Sequence, residues 1–317
     1  MYMRLPEPAT ERTLYFIGVT TGQSSIMQVY PRWAKEALGL KDTVIKGIDL
    51  EIHGPAEDYR KVVDFIKNDP LSKGALVTTH KIDLYNAAKD MFEYFDPYAK
   101  MFGELSSISK KDGRLEGYAK DPISSGLTMD SFVPENFWTK RGGELFIMGA
   151  GGSAIAICSH LLKPSNGANI PSKVIVANRS LPRLHEIERL VKEINPDVPA
   201  SFIHSPDTLD NDRILAGIKP DSLIINATGL GKDRPGSPLS DACIYPKDCL
   251  VWELNYRGDL TFMKQAQAQA QEKNLYIEDG WTYFIHGWTQ VVAEVFHIDI
   301  TGEVFDACEK IAREMRK

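Results

Sequence analysis

Leu145-Phe146-Ile147-Met148-Gly149-Ala150-Gly151-Gly152-Ser153-Ala154 runs from a short apolar strand straight into a glycine turn. Such a run suits a buried parallel strand, and the turn has the spacing G-x-G-x-x-A. Gly149 permits a tight turn, Gly151 lets a ligand approach the backbone, and Ala154 is small enough for the next helix to pack closely on the strand. The periodic residues Ala154, Ile155, Ile157, Cys158, Leu161 and Leu162 supply that helix, and residues 173–177 supply a second strand. The first amides of the helix, from Gly151, Gly152 and Ser153, then face a pyrophosphate, which makes residues 149–154, Ala150 included, a dinucleotide-binding unit. The second strand ends in Asn178-Arg179-Ser180, with Arg183 close behind, where a cofactor with a free ribose 2′-hydroxyl commonly meets an acidic residue. A guanidinium pair clamps a 2′-phosphate instead, so NADP (NADPH) is the expected cofactor.

Working outward from this unit, residues 222–228, 250–254 and 275–277 read as further strands, with a helix over 260–272. The alternation predicts a Rossmann-type doubly wound parallel sheet over residues 126–281. Upstream, strands at 13–19, 43–50 and 74–79 alternate with helical periods, including Tyr59, Val62, Val63 and Ile66, and predict a second α/β domain. Its last strand runs into His80-Lys81, at the strand end where such sheets bind ligands. Ser24 and Ser25 either cap the following helix or face a substrate. Segments 105–109 and 115–118 flank Asp112-Gly113 and predict a hairpin, after which Asp121 marks a crossover. The expected division is a substrate-binding domain of residues 1–125, completed by the helices of 282–317, and a cofactor domain of 126–281.

The 317 residues carry a net charge of −6 with acids and bases interspersed, which points away from nucleic acid and membrane surfaces and toward small-molecule chemistry. Cys158, Cys243, Cys249 and Cys308 are scattered outside any C-x-x-C pattern, so they read as buried thiols of a reducing compartment and indicate no metal site. No signal pattern or apolar run of roughly 18 residues is present. A cytoplasmic monomer or homodimer is expected.

Taken in order, the segments of this chain resemble the shikimate dehydrogenase family over nearly the whole length. Residues 18–25 resemble its N-terminal loop, residues 74–81 its G-A-N-V-T-x-P-x-K segment, and residues 117–121 its G-x-N-T-D segment. Residues 149–154 match its G-A-G-G turn, Asn178-Arg179-Ser180 with Arg183 its N-R-T-x-x-R pattern, and Ile225-Asn226-Ala227-Thr228 its I-N-A-T strand. Residues 253–256 with Thr261 resemble D-x-x-Y-x-P-x-x-T, and Asp279-Gly280 with Gln290 resemble D-G … Q. The resemblance implies hydride transfer between a nicotinamide and an oxygen-bearing carbon, with Lys81 and Asp121 as the catalytic pair. It also implies substrate contacts from Ser24, Thr78, Ser106, Lys120, Tyr256 and Gln290, and cofactor contacts that include Asn226, Ala227, Thr228 and Gly280.

Departures concentrate in the substrate residues. Ile26 stands at one serine position, Leu76 and Ser106 replace asparagines, Ala119-Lys120 replaces the N-T pair, and the lysine segment is one residue short. Each unpaired substrate hydroxyl would cost roughly 1–3 kcal/mol. The expected substrate is a small anionic hydroxy or keto acid, cyclic or not, less hydroxylated than shikimate. Lys120 either points into the cleft and serves a second anionic group, or is solvated or paired with Asp121 on the outside. The alternatives are a genuine shikimate or quinate dehydrogenase, and a non-catalytic NADPH-binding sensor.

Overall fold

The structure, a computed structural model, describes residues 5–232 and 234–316. The chain divides into two compact units, one of residues 1–120 with 287–317 and one of residues 121–286.

In the first unit β1 (Arg12–Gly18), α1 (Ile26–Arg32), β2 (Thr43–Asp49), α2 (Ala56–Asn68) and β3 (Ser72–Val77) alternate as expected, with β2 and β3 parallel to β1 on either side. The helical period of α2 is used as it was read, since Tyr59, Val62, Val63 and Ile66 are all buried. They meet Tyr15, Ile17, Ile48 and Val77 from the sheet. After α3 (Lys81–Ala88), β4 (Tyr94–Phe95) and α4 (Pro97–Phe102) come β5 (Ser107–Lys111) and β6 (Arg114–Tyr118), which give a mixed sheet of order β2-β1-β3-β5-β6-β4. The β5–β6 hairpin turns on Asp112 and Gly113 with φ of 50° and 77°. Positive φ at both central residues matches the twist of the flanking strands and is why Asp-Gly stands there.

The second unit opens with α5 (Asp121–Phe132). Ser124, Ser125 and Gly126 lie inside this helix: Thr128 Oγ1 donates to the Ser124 carbonyl at 2.7 Å, and a Cβ at Gly126 would stand 2.2 Å from the His160 ring. Small residues let α5 pack closely on the helix that bears His160, so packing overrides the turn preference of Ser-Ser-Gly. Then follow α6 (Phe137–Arg141), β7 (Leu145–Met148), α7 (Gly152–Leu162), β8 (Val174–Asn178), α8 (Leu181–Ile194), β9 (Ala200–His204), α9 (Thr208–Ala216), β10 (Leu223–Asn226), β11 (Leu250–Glu253), α10 (Thr261–Lys273) and β12 (Tyr276–Glu278). All six strands are parallel in the order β12-β11-β10-β7-β8-β9. The order reverses between β7 and β10, and a doubly wound sheet holds its ligand beyond the strand ends at that switch. The chain closes with α11 (Trp281–Phe296), whose residues 287–296 belong to the first unit, and α12 (Gly302–Glu314). Among the described residues no helix is long and apolar enough to cross a membrane.

Candidate functional site

At the switch of the parallel sheet Gly149 has φ +110°, and a Cβ there would lie 2.5 Å from the Ala227 carbonyl oxygen. The turn after β7 and the loop after β10 therefore touch backbone to backbone, which only glycine allows. Gly151 has no such constraint: a Cβ built on it meets no heavy atom within 4 Å. Its bare face opens on solvent at the N-terminus of α7, where unpaired amides favour an anion. A cavity of about 340 Å³ runs from this turn past Ala177, Asn178, Arg179, Ser180 and Arg183 on one side and Ala227 and Thr228 on the other. Asn178 Nδ2 donates to the Ser180 carbonyl at 3.2 Å and fixes the turn that presents Arg179. Neither Arg179 nor Arg183 is held by a carboxylate among the described residues. A bare glycine, helix amides and free guanidinium groups on one cavity fit a phosphorylated dinucleotide.

Under this cavity lies a buried polar network. Asn226 Nδ2 donates to Glu253 Oε2 at 2.8 Å, the Asn255 amide donates to Glu253 Oε1 at 2.8 Å, and Asn226 Oδ1 accepts from Thr228 Oγ1 at 2.7 Å. Burial pushes the Glu253 carboxyl up to about 7, with the amide donors pulling the other way.

In the first unit Lys81 is the opening residue of α3, directly past the end of β3. Thr79 takes a positive φ of 54°, and His80 is wholly buried with its Nδ1 3.1 Å from the Tyr59 hydroxyl. Burial lowers the His80 pKa. The 20–25 loop is fixed from below, because the Thr21 amide and hydroxyl both donate to Asp49 Oδ1, at 2.8 and 2.6 Å. Ser25 makes no side-chain cap of α1, so the capping reading fails. Lys120 lies over the Tyr118 ring at 4.8 Å and pairs with Glu294, one helical turn beyond Gln290 on α11. Tyr118 in turn donates to Glu116 at 2.6 Å, and burial followed by that carboxylate raises its pKa.

No protein-family model matches the chain. Among curated proteins it is 24% identical over 236 residues to the shikimate dehydrogenase (NADP(+)) of Streptococcus thermophilus, covering 74% of this chain and 77% of that one. It is also 24% identical over 249 residues to the enzyme of the same name from Nitrosopumilus maritimus, covering 77% and 80%. Among solved structures, the quinate dehydrogenase of Corynebacterium glutamicum in complex with NAD superposes with a TM-score of 0.73 at 18% identity, covering 96% of this chain and 99% of that one. The fold is that of the shikimate and quinate dehydrogenases. The shikimate dehydrogenase of Thermus thermophilus in complex with NADP(H) and shikimate agrees, with a TM-score of 0.69 at 19% identity and coverage of 96% and 99%. One of these structures is described with NAD and the other with NADP(H).

Within this fold the structure corrects several residue expectations. Asn226 is fully buried and spent on Glu253 and Thr228, so it shapes the loop instead of lining the cavity. Gly280 is required by packing, since a Cβ there would stand 2.1 Å from the Leu254 carbonyl, and it too lies off the cavity. Gly152, Ser153 and Ala154 form the first turn of α7 behind the cavity wall formed by Gly149, Ala150 and Gly151. Lys120 forms an ion pair with Glu294. The Ser106 hydroxyl accepts from the Lys120 amide at 2.7 Å. Ile26 and Ala119 are wholly buried. Tyr256 packs edge-on against Trp281 and tilted against Phe284, with the Lys232 ammonium 5.6 Å from its ring centre. Asp121 is the first residue of α5, in the second unit. Thr78 and Ser24 are half-buried at the ends of β3 and of the 20–25 loop, and Gln290 is half-buried on α11. The sequence reading assigned no role to Asp49, His80, Glu253 or Arg234, and of these Arg234 lies on the cavity itself.

Proposed function

We propose that the protein is an NADP-dependent oxidoreductase of the shikimate and quinate dehydrogenase type, acting reversibly on a CH–OH group of a small anionic hydroxy acid. The observation that carries it is the meeting of the bare Gly151 turn with Arg179 and Arg183 on one cavity. The turn of residues 149–151 would hold the pyrophosphate, and Arg179, Ser180 and Arg183 the 2′-phosphate. When bound, the nicotinamide supplies or takes up the hydride. Lys81 would bind the substrate oxygen, stabilise the negative charge that develops as the carbonyl is reduced, and donate the proton to that oxygen. Asp121 would hold the ammonium charged and oriented and accept a hydrogen bond from a neighbouring substrate hydroxyl.

The substrate would carry one carboxylate and fewer hydroxyls than shikimate. Leu76 offers no hydrogen bond, and the polar side chains of Ser106 and Lys120 are already engaged inside the first unit. Steady-state rates with shikimate and with a panel of cyclic keto acids test this; a shikimate kcat/KM of about 10⁴ M⁻¹s⁻¹ or more would refute the substrate assignment. The names of the curated relatives favour the second reading, shikimate itself, and the same measurement distinguishes the two.

A further inference from the structure

The cofactor cavity carries a guanidinium that the glycine turn and the Asn178–Ser180 turn do not account for. Arg234 lines it from the segment that follows β10. Both ends of that segment are tied down. At one end the Leu230 carbonyl accepts from Asn226 Nδ2 at 3.3 Å and Asn255 Nδ2 at 2.9 Å, and the Gly231 amide donates to the Arg234 carbonyl at 2.7 Å. At the other end Asn211 Nδ2 donates to the Pro238 carbonyl at 2.9 Å. Asn211 accepts from Ser205 Oγ at 2.7 Å, and the Ser205 amide donates to the Asn178 carbonyl at 3.0 Å.

The segment therefore leaves the sheet at β10 and returns beside β9, passing the ends of β7 and β8 that carry the glycine turn and Arg179. Arg234 lies exposed on that path, and no carboxylate among the described residues holds it. Among the described residues the acidic one on the cavity, Asp207, is turned to the N-terminus of α9, where its Oδ1 accepts from the Asp210 amide at 3.0 Å. A third guanidinium on the cavity that Arg179 and Arg183 line suits a dianionic phosphate better than a ribose hydroxyl.

We propose that Arg234 is a specificity-determining residue that closes a triple guanidinium clamp with Arg179 and Arg183 on the 2′-phosphate of the nucleotide. This rests on the NADP reading of the same cavity. Calorimetric titration of the full chain with adenosine 2′,5′-bisphosphate and with 5′-AMP tests it, since neither probe contains a pyrophosphate or a nicotinamide. In Arg234→Ala the bisphosphate should bind about tenfold or more weaker with 5′-AMP unchanged, and Arg234→Lys, which keeps the charge, should fall between. An Arg234→Ala variant that binds both probes as the parent does would overturn the proposal, and so would an equal loss for both. A parent protein that does not distinguish the probes would sink the cofactor reading itself.

Discussion

Alanine at Gly151 separates what the fold needs from what the ligand needs. A Cβ at this position meets no heavy atom within 4 Å, and its φ of −91° is open to any residue. The only structural cost is the poorer N-cap of α7, about 0.5–1 kcal/mol, so Gly151→Ala should fold with a Tm within a few degrees of the parent. At Gly149 the same change places a methyl 2.5 Å from the Ala227 carbonyl at φ +110° and should lower the stability of the second unit by several kcal/mol. Gly151→Ala should nevertheless bind NADPH roughly ten- to a hundredfold more weakly, because an added methyl where the phosphates approach costs about 1–3 kcal/mol in a close-fitting site. Thermal unfolding and fluorescence titration of both variants provide the data. Parental NADPH affinity in a folded Gly151→Ala protein would refute the placement of the pyrophosphate.

Arg179→Ala should reduce the preference for NADPH over NADH by tenfold or more in kcat/KM, and an unchanged ratio would remove the basis for the cofactor assignment. Glu253 has a folded pKa of about 7 against 4.5 unfolded, so its contribution to stability is complete below about 4.5 and is lost as pH rises through about 7. The whole window corresponds to about 3 kcal/mol, so the stability of the parent relative to Glu253→Gln should fall between pH 5 and 8 in denaturant titrations. A constant difference would show that Glu253 is ionised throughout. His80 has the opposite sense: its folded pKa is depressed, so its contribution is complete above about 6.5 and is lost as pH falls, and a His80→Gln variant should lose less stability than the parent on acidification below pH 6.

The cofactor half was the more legible one because its constraints are local. Strand, glycine turn and helix are contiguous from Leu145 to Leu162, and the apolar runs of β7, β8 and β10 are buried on both faces, so sequence pattern and structure coincide. The β9 strand escaped because its residues are only half-buried at the sheet edge and show no apolar run. In the first unit the elements were readable, but the state of each polar side chain was not. Lys120 meets Glu294 across a separation of 174 residues, and Thr21 meets Asp49 across 28. Spacing along the chain carries no trace of such pairings. The burial of His80 was invisible for a related reason, since no local propensity announces a left-handed Thr79 beside an imidazole held by Tyr59.

The role of Lys81 is the most direct test of the proposed chemistry. Lys81→Ala should be compared with the parent for NADPH affinity by titration and for turnover on whichever keto acid the parent reduces fastest. The expected result is unchanged NADPH affinity with kcat lowered about 10²–10⁴-fold, as loss of a single acid–base group entails. A variant that keeps most of its kcat, or a parent that binds NADPH and oxidises it with no substrate in the panel, would contradict it.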